Sequence, residues 1–286
     1  MFTMRWKTRL HNALAIAVLL LVTSCDLGET ALSPCTSNIN AVISSPCKFS
    51  PGIHSYTTLT ISTEIFLETN SSSSQHVFNV SQTIDIQAKA ILILDYNRVS
   101  GSNNGAGING GSGSSGGSYG GRAGAASNTP LSASQSEAYG SAFAVDKPGS
   151  WGGGDPSARG KGGGYLKIYA RKLILDGTVQ ANGGRAQLND GGGSGGGVSI
   201  DCFEIDGNGR VEASGGMGSG KGGGGSGGRI SVHYQHGSFG GQAQAYGGKT
   251  GNAKNVEREF LTSSFTGANE ASQIHFTNFI GAFFLT

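Results

Sequence analysis

Asp176, Asp201, Glu204 and Asp206 are the acidic residues best placed for chemistry, because they fall in a part of the chain that repeats every 32 residues. Hydrolysis of a glycosidic bond needs two carboxyl groups about 5–9.5 Å apart, either on neighbouring repeats or within one. In the 32-residue register Asp201 falls beside Tyr169 and His233, with Glu204 nearby, whereas Asp176 falls beside Asn208 and Gly240. A lyase would instead set a basic side chain against the acids, and Lys167, Arg171 and Lys172 lie one repeat earlier. The plainer reading is that outward positions simply carry soluble side chains. Asp201, His233 and Glu204 therefore stand as the alternative, catalytic assignment for a polysaccharide lyase or glycoside hydrolase, and no catalytic motif is preferred.

Aromatic residues offer a second chemistry, since a ring on an outer face can stack on a sugar through CH–π contact. Tyr165, Tyr169, Tyr246 and Trp151 are the candidates, against the alternative that each packs on glycine-rich loops; Tyr234 aligns with Ala170 and Cys202 and is expected to face inward. No metal site is expected. Calcium-binding nonapeptide repeats place Asp in each glycine-rich turn, and here only Asp155 and Asp190 do so, while no CxxC or His pair accompanies a cysteine. GxSxG, HExxH and Walker sequences are missing, so no cofactor is expected either. Arg122, Arg185 and Arg229 each follow Gly-Gly, but a net charge of +2 and 13% charged residues leave no electrostatic footprint for nucleic acid. Ice binding would need threonine ladders, and none follow the register.

The elements that must position these residues are set by glycine, which supplies 51 of 286 residues against an ordinary share of about 7%. Only Gly28 and Gly52 precede residue 101, and only Gly267 and Gly281 follow residue 251. Helices are excluded between those limits because glycine loses the most backbone entropy on folding. Collagen is excluded by the lack of a three-residue period and by only six prolines. From Tyr56 to Asp95 β-branched residues alternate with Thr, Ser, Asn and Gln, which predicts several short strands.

The repeat itself runs from Gly164. Val179-Gln180-Ala181-Asn182-Gly183-Gly184 recurs as Val211-Glu212-Ala213-Ser214-Gly215-Gly216 and as Ala243-Gln244-Ala245-Tyr246-Gly247-Gly248. Leu166, Val198 and Ile230 correspond, as do Ile168, Ile200 and Val232, and Gly177, Gly209 and Gly241. Leu92-Ile93-Leu94-Asp95 recurs at Leu173-Ile174-Leu175-Asp176, which predicts a further unit before the long insertion. A fixed period with alternation inside it predicts an all-β chain, a right-handed parallel β-helix with about 32 residues per coil. Each coil would hold three short strands, with paired glycines at the corners and residues 189–197 and 218–228 as loops. A sandwich of glycine-linked strands is the runner-up.

Gly162-Gly163-Gly164-Tyr165-Leu166-Lys167-Ile168, Val179 to Gly184, Gly195 to Ile200 and Gly227 to Val232 together resemble glycine-rich modules of large secreted or cell-surface proteins. The resemblance spans about residues 52–250. It implies a pectin-lyase-like parallel β-helix, mostly without assigned activity, and it carries no catalytic motif. The chain departs from that pattern after Gly248, where Lys254 to Glu259 replace a further alternating strand.

Arg5, Lys7 and Arg9 precede the uncharged run Ala13–Val22, too short to span a bilayer, so residues 1–24 read as a signal peptide. Val22-Thr23-Ser24-Cys25 resembles a bacterial lipobox, which would acylate Cys25 and make it the one membrane attachment; in a eukaryote Asn70 and Asn79 would be glycosylation sites. Residues 25–51 form an irregular segment in which Cys35 and Cys47, both beside proline, pair as a disulfide, leaving Cys202 as a small buried apolar residue. Residues 52–250 form the glycine-rich domain and 251–286 a cap or tail. The insertion, 100–164, has the composition of a linker, but Tyr119, Tyr139, Phe143 and Trp151 favour its packing on the body. The expected protein is a secreted or cell-surface structural or adhesive module whose partners are polysaccharide or extracellular protein.

Overall fold

The computed structural model describes residues 32–68, 75–94, 114–126, 137–141 and 144–251, and the backbone of 263–264 and 272–277. Cys25, Asn70 and the predicted signal peptide lie outside the described residues. Among those residues the fold is all-β, with no helix. The strands are β1 (Asn40–Ile43), β2 (Cys47–Phe49), β3 (Gly52–Ile61), β4 (Glu64–Leu67), β5 (Gln75–Ile86), β6 (Ile91–Ile93), β7 (Tyr165–Leu175) and β8 (Thr178–Gln180). They continue with β9 (Gly197–Gly207), β10 (Arg210–Glu212), β11 (Arg229–Tyr234), β12 (His236–Phe239), β13 (Gln242–Gln244), β14 (Ser263–Ser264) and β15 (Ser272–Thr277).

Successive strands up to β11 alternate between two sheets, and each one up to β9 pairs in parallel with the strand two places on. One sheet runs β1-β3-β5-β7-β9-β11 with β12 also on β9, and the other runs β2-β4-β6-β8-β10-β13. Leu166 pairs with Val198 and Val198 with Ile230, and Ile168, Ile200 and Val232 do the same one step along, so the 32-residue register holds from β7 onward. Every one of these side chains is at most 1% exposed. Burying each is worth about 1.5–3 kcal/mol, and the outward residues between them, Lys167, Tyr169 and Asp201, remain in contact with solvent.

The earlier strands follow shorter spacings. Ala41 pairs with Leu59 and Cys47 with Ile65, a spacing of 18, and Ile53 pairs with Val77, a spacing of 24, with a bulge between Tyr56 and Thr58. The Leu-Ile-Leu-Asp recurrence is not the structural one. Leu173 and Leu175 pair with Ile84 and Ile86, while Leu92 pairs with Val179. A unit does precede the insertion, aligned on Ile84-Asp85-Ile86 instead. Residues 40–49 are also less irregular than expected, since they supply the first strand of each sheet. At the other end β15 lies antiparallel on β11 and β14 antiparallel on β13, which pairs both sheet edges that an open stack would leave bare.

The glycine runs form neither loops nor corners. Successive N–H groups of Gly191, Gly192, Gly193, Ser194, Gly195 and Gly196 donate to the carbonyls of Gly153, Gly223, Gly184, Ser150, Ser226 and Ala181. Three neighbouring segments are thus visited twice in the same order, one turn per three residues, with no bond inside the segment. That is polyproline II geometry, here with glycine in place of proline. No glycine in 191–197 or 222–228 has a positive φ, so glycine serves closeness and not an unusual backbone conformation. A Cβ on Gly193, Gly195 or Gly225 would sit 2.0, 1.9 or 1.9 Å from a carbonyl oxygen of a neighbouring segment.

Described residues of the insertion form part of this layer. Gly149 and Gly152 donate to Gly163 and Gly160, Gly117 donates to Gly192, and Gly120 donates to Gly227. The buried hydroxyls of Ser194 and Ser226, 32 residues apart, accept the N–H groups of Ser150 at 2.7 Å and Tyr119 at 2.8 Å. Serine is the largest residue the interior of those runs admits, and its oxygen anchors the overlying chain.

Candidate functional site

Two outer faces carry the polar side chains. On the face built from β5, β7, β9 and β11, the column Asn79, Tyr169, Asp201 and His233 runs across four strands in register. Asp201 lies beside His233, as its 32-residue alignment requires, and Glu204 lies beside His236. Both carboxylates already have cationic partners: Lys167 approaches Asp201 at 3.3 Å, and Lys172 is bonded to Glu204 and, at 2.8 Å, to Asp206. Hydrogen bonds to Asp206 and Glu204 raise the Lys172 pKa, and the bond from Lys172 lowers that of Asp206. The His233 ring nitrogen Nε2 lies 2.7 Å from the Ser231 hydroxyl. The basic and acidic repeats named in the sequence thus neutralise one another across the sheet.

The four candidate aromatics scatter. Tyr165 is buried, closed over by Val145 and Gly197, and burial pushes its hydroxyl up to about 12; it presents no ring to a ligand. Tyr169 stands 41% exposed with the Lys167 ammonium 4.4 Å from its ring centre. Trp151 lies in the glycine layer, half-buried under the Arg159 guanidinium at 4.4 Å. Tyr246 continues the column Asn182, Ser214 on the second sheet's side, where its N–H donates to the Ser214 hydroxyl. Tyr234 is buried, as its alignment with Ala170 and Cys202 requires.

The second outer face bears Thr178 and Gln180, Arg210 and Glu212, and Gln242 and Gln244 on three strands in register. Gln180, Asn182 and Arg210 all donate to the Glu212 carboxylate, at 3.4, 3.4 and 3.3 Å. A polar groove at the bend is lined by Asp176, Thr178, Asn208, Arg210 and Gln242; Asp176 accepts the N–H of Asn208 at 3.0 Å. Asp201, His233 and Glu204 lie outside it.

Cys35 and Cys47 form a disulfide with Cα atoms 5.1 Å apart, fastening residues 33–35 alongside β2. Cys202 is half-buried, its thiol pushed up to about 12 by burial, which leaves it unreactive. Asn79 is exposed on β5. Among the described residues no three His, Cys, Asp or Glu side chains gather as a metal site.

Three features escaped the sequence reading. Phe203 is 45% exposed and packs its ring 4.8 Å from His236; it sits inside the stretch from Cys202 to Ile205 where burial shifts phase, a break that alternation alone does not locate. His76 is fully buried in line with Leu166, with Nε2 2.7 Å from the Glu68 carbonyl and Nδ1 3.3 Å from His54. Tyr119 is fully buried against Tyr139, with the Arg229 guanidinium 5.4 Å from its ring centre and two Arg229 nitrogens on the Tyr139 carbonyl. Packing of Tyr119 and Tyr139 on the body was expected from their place in the insertion; what no periodic pattern announces is the Arg229 contact that joins them. Comparison with protein-family models, with curated proteins and with solved structures gave no match.

Proposed function

We propose that the chain is a right-handed parallel β-helix serving as an exported structural or adhesive surface module that presents outer faces to glycans. The supporting observation is the organisation of its polar residues. They run in register as ladders along parallel sheets, and the acids are bonded to lysine, arginine or amide groups of their own or neighbouring strands. A reacting centre gathers its groups around one point, whereas a ladder repeats them along an axis and suits an extended partner. The 32-residue registers support the coil, and parallel crossovers are right-handed in about 98% of cases. The Cys35–Cys47 disulfide fits an oxidising compartment outside the cytosol.

The test incubates the purified chain with a panel of soluble and insoluble polysaccharides and measures both retention and product release by mass spectrometry. Retention without released oligosaccharides is expected, and Asp201→Asn is expected to leave the absence of release unchanged. Release abolished by Asp201→Asn would replace this reading with the lyase or hydrolase centred on Asp201, His233 and Glu204. No retention on any member would overturn the glycan-presenting role.

A further inference from the structure

Resting on that reading, we infer that Tyr169 and Phe203 form an aromatic platform on the outer face of β7 and β9 that binds an extended, uncharged polysaccharide. These are the two large rings exposed on that face among the described residues, at 41% and 45%. Leaving such rings in water is costly unless a partner covers them, and their π-faces attract the polarised C–H bonds of a pyranose. Both are held in place: Lys167 sits over the Tyr169 ring at 4.4 Å, and His236 lies against Phe203 at 4.8 Å. A ring already fixed in its binding pose loses little freedom on association.

The charges around the platform decide the class of ligand. Lys167 is paired with Asp201, and Lys172 with Glu204 and Asp206, so three acids and two lysines are bonded within the face. Arg171, exposed between the rings in sequence, adds one donor. A nearly balanced strip has little long-range attraction for a polyanion, yet its carboxylates and ammonium groups keep free hydrogen-bonding positions for hydroxyls. The column from Asn79 to His233 crosses four strands, about 14 Å at 4.8 Å per step. That length fits several consecutive sugar units.

The experiment is isothermal titration calorimetry of the chain, made in a host that does not N-glycosylate so that no sugar on Asn79 intrudes, with cellohexaose, mannohexaose, laminarihexaose and polygalacturonate. At least one neutral hexasaccharide is expected to bind. Tyr169→Ala and Phe203→Ala are each expected to weaken it tenfold or more with unchanged melting temperature, and Tyr246→Ala, on the other face, is expected to leave it intact. Neutral binding that survives both platform substitutions overturns the platform but keeps the glycan-presenting function, as does binding of polygalacturonate alone. Binding to none of the four probes overturns the platform, and the wider panel above then decides whether the function falls with it.

Discussion

In the two sheets side chain stacks on side chain, Leu166, Val198 and Ile230 in one and Val179, Val211 and Ala243 in the other, and backbones stand a strand spacing apart with alternate residues reaching inward. In the glycine layer backbone touches backbone: Gly184, Gly216 and Gly248, or Gly164, Gly196 and Gly228, follow one another at distances that leave no room for a Cβ. Both regions obey the same 32-residue register, but they are stabilised by different means. The sheets draw on apolar burial, while the layer draws on hydrogen bonds in three directions from each segment and on close packing of small atoms. The sheets should therefore resist exchange among apolar residues and yield to charge. The layer should yield to a single methyl group.

The sharpest break in that contrast is Ile200→Asp, which places an unpaired carboxylate in a fully enclosed position between Ile168 and Val232. A cost of several kcal/mol is expected, so circular dichroism should show loss of the cooperative thermal transition. Ile200→Val, by contrast, should cost about 0.5–1.5 kcal/mol.

Gly225→Ala is expected next in size. Its methyl group would meet Gly193 backbone atoms at 1.9 and 2.3 Å and the Ser194 nitrogen at 2.8 Å, where no rotamer can make way. Destabilisation of about 1–3 kcal/mol or more is expected, the range for overpacked interiors, read as a shift of the urea midpoint. A layer that accepted alanine at Gly193, Gly195 and Gly225 without such a shift would not be packed as described.

The N-terminal stack sharpens the comparison through pH. Where β7, β9 and β11 put Leu166, Val198 and Ile230, β5 puts His76, whose pKa burial lowers from 6.5 to about 4, with the neighbouring His54 also lowered by burial. A neutral buried imidazole favours the folded state fully above the unfolded pKa. Protonation of the unfolded chain then removes stability as pH falls from about 6.5 towards 4, by at most about 1.4 kcal/mol per unit for this group. Glu68 and Lys48 stand beside the pair, joined at 2.8 Å. Urea melts between pH 7 and 4.5 should show the decline, and His76→Phe should flatten it.

Much of the sheet architecture was legible because side chains carry it: the aliphatic ladders, the pairing of Val179 with Val211 and the Cys35–Cys47 link all follow from residue type and spacing. The glycine layer was not, because a run such as Gly191 to Gly197 has no side chains from which a period of three can be read. Its marks in the sequence were the recurring pairs Gly183-Gly184, Gly215-Gly216 and Gly247-Gly248 and the matching of Ser194 with Ser226. Short strands between Tyr56 and Asp95 were expected, but their pairing was hidden by spacings of 18 and 24 that share no period with the rest, and the Leu-Ile-Leu-Asp repeat misled because Leu92 and Leu173 sit in different sheets. At the candidate site, Tyr165 and Tyr169 both lie on β7 four residues apart, so alternation places them on one face. Their surroundings separate them: Tyr165, beside Gly197, is 6% exposed, and Tyr169 is 41% exposed.

The smallest expected effect is the one that separates crowding from glycine as such. Gly240 also lies in the 32-residue register, following Asp176 and Asn208, but a Cβ there would meet only the Asn208 side chain, its Oδ1 at 2.4 Å and its Cγ at 3.6 Å. An amide end can rotate away, and Gly240 has no positive φ that alanine would resist. Gly240→Ala should change stability by no more than about 0.5 kcal/mol in either direction, since the loss of unfolded-state freedom offsets the displaced amide. Measured beside Gly225→Ala under the same urea conditions, it tests whether the layer depends on glycine content or on the absence of a methyl group at points of backbone contact. Equal destabilisation by the two substitutions would mean that glycine acts through chain flexibility, and the contrast between packed layer and side-chain sheets would fail.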